Sequence, residues 1–252
     1  MKAIVYQKYG PPDVLQLEDV AKPTPRDNEV LIRVHATTVT ASDCEIRGFK
    51  IPISFWLPIR IFMGLTKPRK NILGQELSGE IEAVGKDVKL FKKGDQVFAA
   101  TGPGFGSYAK YRSMPEKGAV ALKPADITYE EAATVPTGGL NALHFLRKEN
   151  ILGEEKVLIN GADGSIGTVA VQLAKHDGAD VTGVDSMKKL DMLNAIGANH
   201  VIDYTQEDFT ISGETYNIVF DVAGKSSFSR SVRSRNRNGH HILANPSLSL
   251  LV

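Results

Sequence analysis

Three glycines, Gly161, Gly164 and Gly167, sit at tight spacing in LINGADGSIGTVAVQLAKH, the stretch from Leu158 to His176. Without a Cβ, glycine lets a backbone turn sharply and approach a bulky anion closely. Val157 to Asn160 reads as a strand and Gly161 to Gly167 as a turn; Ile166, Val169, Ala170, Leu173 and Ala174 then recur at helical spacing along one apolar stripe. The free N–H groups and positive dipole end of a helix starting there form an anion site. A second group stands at the distance such a site uses. Asp185 closes VTGVD 21 residues beyond Gly164, where a carboxylate accepts from both hydroxyls of an adenosine ribose. Loop and acid together predict a dinucleotide on Gly161, Ala162, Gly164, Ser165, Ile166 and Gly167, because a bare strand-to-helix turn requires neither three glycines nor the distal acid.

The choice of nucleotide stays open. Asp185 repels a 2′-phosphate and so favours NADH, yet Ser186, Lys188 and Lys189 follow it at once and offer the hydroxyl and ammonium groups that NADPH needs. Asp163 places a negative charge within the loop itself, and is expected to face solvent or to accept N–H bonds as a helix cap.

The rest of the composition narrows the field. A net charge of +1 over 252 residues gives no field to draw in nucleic acid or an anionic membrane, so neither partner is expected. The single cysteine, Cys44, cannot form an intramolecular disulfide, and MKAIVYQKYG shows no export signal, which points to the cytoplasm. No activating group stands beside Cys44, so it reads as a small buried hydrophobe. The apolar segment Ile51 to Leu65 is too short to span a bilayer and carries Pro52, Pro58 and Arg60; it reads as a lid, a pocket wall or a buried segment. Five basic residues in Lys225 to Asn238 read as the solvated face of a helix whose buried side is Phe228 and Val232.

Two rhythms position these groups. Up to about Lys123 the chain reads as short alternating strands. EVLIRVHAT places Val30, Ile32, Val34 and Ala36 on one face and Leu31, Arg33 and His35 on the other, and LSGEIEAVG, QVFAA and SYAKYRS continue the pattern. From Thr128 onward a helix from about Tyr129 to Leu146 leads into KVLIN, DVTGVD, HVIDY, YNIVFDV and HHILAN, with helices between them. Strands alternating with helices imply a parallel sheet covered on both faces, and Val157 to Ile159 and Ile218 to Phe220 suit strands buried on both sides. The predicted fold class is α/β: a β-rich domain over residues 1–125, then a Rossmann doubly wound parallel sheet over 126–252.

KAIVYQKYGPPDVLQLEDV, LGQELSGEIEAVGKDVKLFKKGDQVFA, EEAATVPTGGLNAL, VLINGADGSIGTVAVQLAKH and GANHVIDY follow one another in an order that resembles the medium-chain dehydrogenase/reductases, and among them the zinc-independent quinone oxidoreductase-like enzymes. The resemblance covers nearly the whole chain. It implies a GroES-like substrate domain joined to the Rossmann domain, NAD(P)H as cofactor, with NADPH the family's usual choice, and hydride transfer to a quinone or an α,β-unsaturated carbonyl without a metal. The zinc enzymes of the family carry a His where Gly74-Gln75-Glu76 has Gln75, and a Cys near Asp43 or Cys44. Gln75 is a poor zinc ligand, and one Cys cannot supply a structural zinc set. The six histidines, among them the strand neighbours His240 and His241, show no metal-ligand spacing, and no metal is expected.

The resemblance also suggests roles. Thr40 becomes the catalytic hydrogen-bond donor to the acceptor oxygen, although relatives often carry Asn there, and several have Tyr where this chain has Glu45. Arg47 becomes a positioning cation, Phe55 and Trp56 an apolar wall, and Asn141, where relatives usually carry Thr, a neighbour of the nicotinamide. Tyr204 is placed with Ser186 and Lys189 on the cofactor side. Relatives continue beyond NPSLSLLV with a further strand and a return segment, and that strand commonly builds a homodimer. An open sheet edge, covered by Leu248 to Val252, and a monomer or a non-native association are therefore expected. A non-catalytic dinucleotide-binding or structural remnant of such an enzyme stands as the alternative to a working reductase.

Overall fold

The computed structural model describes residues 1–244 apart from Pro52, Asn150, Leu152 and Lys225, with only the backbone at Ser54. Leu248 to Val252, expected to cover the sheet edge, lie outside the described residues. The chain divides into two compact units, Met1–Thr137 and Gly138–Val252.

In the first unit β1 (Lys2–Tyr6) pairs antiparallel with β2 (Leu15–Asp19). Then come β3 (Glu29–Thr37), α1 (Ala41–Gly48), α2 (Ile53–Met63), β4 (Glu76–Val84), β5 (Gln96–Ala100), β6 (Tyr111–Pro115), β7 (Val120–Leu122) and α3 (Tyr129–Thr134). The sheet runs β6-β3-β4-β5-β7, antiparallel throughout. Val30, Ile32, Leu77, Ile81, Val97, Ala99 and Met114 form its core. The strict alternation predicted along β3 fails at Leu31, which is buried beside Val30 and Ile32. The pairing with β4 shifts register between Leu31 and Ile32 and between Val34 and Ala36, and both faces of β3 are covered near its start.

Two expectations for this half are corrected. The single helix from Tyr129 to Leu146 is two, α3 and α4 (Pro136–Leu146), because Pro136 has no N–H to extend α3 and suits the first position of a new helix. Of the three readings of the apolar segment Ile51 to Leu65, a lid, a pocket wall or a buried segment, the last fails for most of its described side chains. Its helix α2 packs Ile59 and Met63 against the cluster of Tyr6, Leu73, Phe105 and Tyr108 and leaves most of its surface exposed.

The second unit follows α4 with β8 (Lys156–Asn160), α5 (Ser165–His176), β9 (Asp180–Asp185), α6 (Leu190–Ala195), β10 (His200–Asp203), β11 (Tyr216–Asp221), α7 (Phe228–Ser231) and β12 (Arg235–Leu243). All five strands are parallel, in the order β10-β9-β8-β11-β12. Both faces are covered, as the unbroken apolar runs require. Val157, Ile159, Ile218 and Phe220 pack with Ala142 and Leu146 of α4 and Ala170, Val171 and Ala174 of α5, while Leu158 and Val219 meet Val184, Phe209 and Tyr216 on the other side. The buried stripe of α5 is rotated from the predicted one: Gly167, Ala170, Val171 and Ala174 are its centre, and Ile166, Val169 and Leu173 flank it.

The helix predicted over the basic run is also corrected. Only Phe228–Ser231 is helical, a 3-10 turn takes Val232–Ser234, and β12 starts at Arg235. Phe228 is exposed and the buried side chains are Ser231 and Ser234, since one short turn gives no i, i+4 face to bury.

Candidate functional site

Each glycine of the loop after β8 meets a different need. Gly161 has φ +81, a conformation a side chain would strain, and an added Cβ would lie 3.0 Å from Ala223. At Gly167 a Cβ would fall 2.3 Å from the carbonyl oxygen of Gly161, so the close approach of α5 to the loop demands glycine. Gly164 caps α5 in an extended conformation, φ −73 and ψ 167, and a Cβ there would meet only the Gly161 oxygen, at 3.7 Å. Nothing within the protein requires glycine at 164. Open space before the N–H groups of a twelve-residue helix is what an approaching pyrophosphate needs.

Asp185 ends β9 beside this loop. Its Oδ2 accepts the Asp163 N–H at 3.0 Å, and its Oδ1 accepts the Ser186 N–H at 2.7 Å, which fixes the carboxylate at the rim. Asp163 is not a cap, because Gly164 occupies that position with no side-chain bond. Its carboxylate is exposed as expected and lies 3.7 Å from the Lys189 ammonium. Partial burial and the neighbouring Asp185 hold its pKa above the ordinary value, against a smaller opposing pull from Lys189.

A cleft of about 690 Å³ opens here, lined among others by Gly161, Asp163, Asp185, Ser186, Tyr204 and Arg230. It lies past the carboxyl ends of β8, β9 and β11, where the strand order reverses, the place ligands take in open α/β sheets. Ala162 is buried beneath the loop, Ser165, Ile166 and Gly167 form the first turn of α5, and Asn141 is half-buried on α4. Gly138 brings α4 against that turn, where a Cβ would sit 2.3 Å from the Ser165 oxygen.

Sequence reasoning missed the clamp across the reversal. Asn160 Nδ2 donates to Asp221 Oδ1 at 2.9 Å and to Ser226 Oγ at 2.8 Å, and Asp221 also accepts the Gly224 N–H at 2.8 Å. Both residues close their strands with a polar side chain after an apolar run, which is the signal that was there to read.

In the first unit the structure separates the expected substrate-side residues. Thr40 is the N-cap of α1: it accepts the Asp43 N–H at 3.2 Å and donates its hydroxyl proton to Asp43 Oδ2 at 2.7 Å. The assigned donor therefore already has its acceptor. Arg47 donates to the Gly10 carbonyl at 3.3 Å and lines a cavity of about 330 Å³ with Thr37, Asp43 and Tyr108. Phe55 and Trp56 are 46% and 40% exposed on α2, and neither lines that cavity. Cys44 is half-buried on α1.

Glu76, unused in the sequence reading, is buried with both oxygens held. The Thr38 hydroxyl donates to one, and the Thr137 N–H donates to the other at 2.9 Å. Among the described residues no group of three His, Cys, Asp or Glu side chains is arranged to hold a metal ion. The His pair divides as strand neighbours do. His240 contacts Glu149, whereas His241 is half-buried, and that burial pushes its pKa down.

Residues 26–124 match the alcohol dehydrogenase GroES-like domain and residues 165–244 match the zinc-binding dehydrogenase domain. Among curated relatives, 2-methylene-furan-3-one reductase of Solanum lycopersicum is 34% identical over 235 residues, covering 89% of this chain and 58% of that protein. Quinone oxidoreductase of Pseudomonas aeruginosa is 33% identical over 239 residues, 92% of this chain and 69% of its own length. The chain thus spans less than three fifths of the first of these. The solved quinone oxidoreductase of Coxiella burnetii superposes with a TM-score of 0.83 at 31% identity, over 96% of this chain and 74% of that one. The Escherichia coli quinone oxidoreductase complexed with NADPH superposes with a TM-score of 0.79 at 27% identity, over 100% and 77%. The antiparallel first unit and the parallel sheet of the second agree with these matches, and the chain belongs to the quinone oxidoreductase-like medium-chain dehydrogenase/reductases.

Proposed function

We propose that this protein binds NAD(P)H along the N-terminus of α5 and reduces a quinone or an α,β-unsaturated carbonyl. The observation that carries the reading is Gly164, a glycine with no internal reason to be one, set before a helix N-terminus and beside the Asp185 carboxylate. When bound, the nicotinamide supplies the hydride, so the protein needs to align, shield and polarise more than to exchange protons.

The residues present suit that task. The N–H groups of Ser165, Ile166 and Gly167 would hold the pyrophosphate and Asp185 the adenosine ribose, with Ser186, Lys189 and Tyr204 beside it. Asn141 is assigned to the nicotinamide side. In the first unit Arg47 is the cation that reaches the cavity, while Thr40 acts through α1 by fixing Asp43. Gln75 leaves the family's zinc position without a good ligand, which supports a reaction that proceeds without a metal. The reductase names of the relatives support turnover over a binding remnant. The cytoplasm remains the proposed compartment.

Deuterium transfer from 4-deuterated NADH or NADPH into a reduced enone is the test. Label at the product's β-carbon supports the assignment. Nucleotide binding with no transfer to any quinone or enone contradicts it and leaves a binding protein.

A further inference from the structure

Helix α2 carries a surface that the reductase reading does not use. Ile53, Leu57 and Ile61 recur at i, i+4, i+8 on the side opposite the packed Ile59 and Met63, and Leu65 is exposed just beyond the helix end. Ile53 is 91% exposed, and Leu57, Ile61, Phe62 and Leu65 each exceed 50%. The cation of this helix does not relieve that surface. Arg60 lies over the rings of Tyr9 at 4.0 Å and Phe49 at 4.4 Å and donates to the Leu65 carbonyl at 2.8 Å. A helix apolar nearly all round is normally enclosed, and this one is enclosed on one strip only.

The charge around it has one sign. From Ile46 to Gln75 the chain holds Arg47, Lys50, Arg60, Lys67, Arg69 and Lys70, and no acid. Lys50, Lys67, Arg69 and Lys70 are exposed just before and after the helix. Ile53, Leu57 and Ile61 share one exposed face, and exposed cations flank the helix at both ends, a combination that favours an anionic lipid surface. At eleven residues α2 is about 16 Å long, so it can lie on a bilayer and cannot cross one.

We propose that α2 and the basic loop after it dock this protein on an anionic lipid bilayer, with Ile53, Leu57 and Ile61 in the acyl boundary and Lys67 and Arg69 among the headgroups. Two other occupants fit less well. A second copy would bring these acid-free cationic segments together, and a shaped peptide needs a groove, whereas the exposed side chains stand out from a convex helix. The inference reverses the expectation from net charge: the near-zero total conceals a local cluster of one sign.

Cosedimentation with vesicles tests it, using phosphatidylcholine alone and phosphatidylcholine with one-third phosphatidylglycerol. Binding to the anionic vesicles alone is expected, falling with added salt. Leu57→Asp with Ile61→Asp should abolish it, because both residues are exposed on that face and their loss leaves the packed strip of Ile59 and Met63 intact. Lys67→Glu with Arg69→Glu, which touches no apolar contact, should weaken it by roughly tenfold or more. Failure of the wild-type chain to bind anionic vesicles overturns the proposal. So does self-association of the free chain that the Leu57 and Ile61 substitutions remove, which would assign the face to a second copy.

Discussion

Gly164→Ala isolates the ligand's demand on the loop from the protein's own. An added methyl at 164 meets only the Gly161 oxygen, at 3.7 Å, and the backbone there, φ −73 and ψ 167, is one any residue adopts. Alanine is a poorer N-cap than glycine by about 0.5–1 kcal/mol, and it gains a similar amount by restricting the unfolded chain, so stability should stay within about 1 kcal/mol of the parent. In the complex the methyl stands where the pyrophosphate approaches. Overpacking there costs about 1–3 kcal/mol, or roughly tenfold to a hundredfold in Kd. Gly167→Ala is the control: its methyl would lie 2.3 Å from the Gly161 oxygen and 2.7 Å from the Ala162 Cα, so it should lower stability by about 1–3 kcal/mol as well as binding. Thermal melting and fluorescence titration with NADH and NADPH read the two effects separately. Parental affinity in a folded Gly164→Ala protein would refute the reasoning, since glycine at 164 would then serve no ligand.

Asp185→Ser removes the acceptor proposed for the ribose hydroxyls, so NADH affinity should fall by about 1.5–3 kcal/mol while NADPH loses less, measured as a ratio of Kd values. Asp163 titrates above the ordinary 3.8, so its stability contribution is fully present below that value and is lost as pH rises through the raised one. Asp163→Asn should therefore raise Tm at neutral pH, with the gain vanishing in strong acid; a gain that persists at low pH would contradict the assignment. Thr40→Ala should cost about 1 kcal/mol in chemical denaturation through the lost cap on α1. A fall in kcat without that loss would restore Thr40 as a donor to the substrate. Phe220→Ala, fully buried in β11, should cost about 3–5 kcal/mol by urea titration.

The parallel half was the more legible in sequence. β8 and β11 announce themselves through uninterrupted apolar runs, and the glycine loop with Asp185 falls at the sheet's carboxyl edge because local rules alone place a strand, a turn and a helix there. Features set by contacts distant in sequence were hidden. The Asn160 to Asp221 bond joins residues 61 apart, and nothing in either neighbourhood indicates that β11 pairs with β8. Leu31 is buried on the face away from Val30 and Ile32, which the alternation of β3 does not announce. Composition misled at α2: apolar content argued for burial, but burial depends on what arrives to cover a face, and here one strip alone is covered. Thr40 shows the converse, since T-x-x-D is a local capping signal that a resemblance to enzymes with Asn at that place obscured.

The central claim, that a reduced dinucleotide occupies the loop at Gly164, is tested most directly by titrating the 252-residue chain with NADH and with NADPH and following nicotinamide fluorescence. Saturable binding of at least one nucleotide, weakened by Gly164→Ala and keyed to Asp185 in its preference, is the predicted result. A folded chain that binds neither would contradict the account.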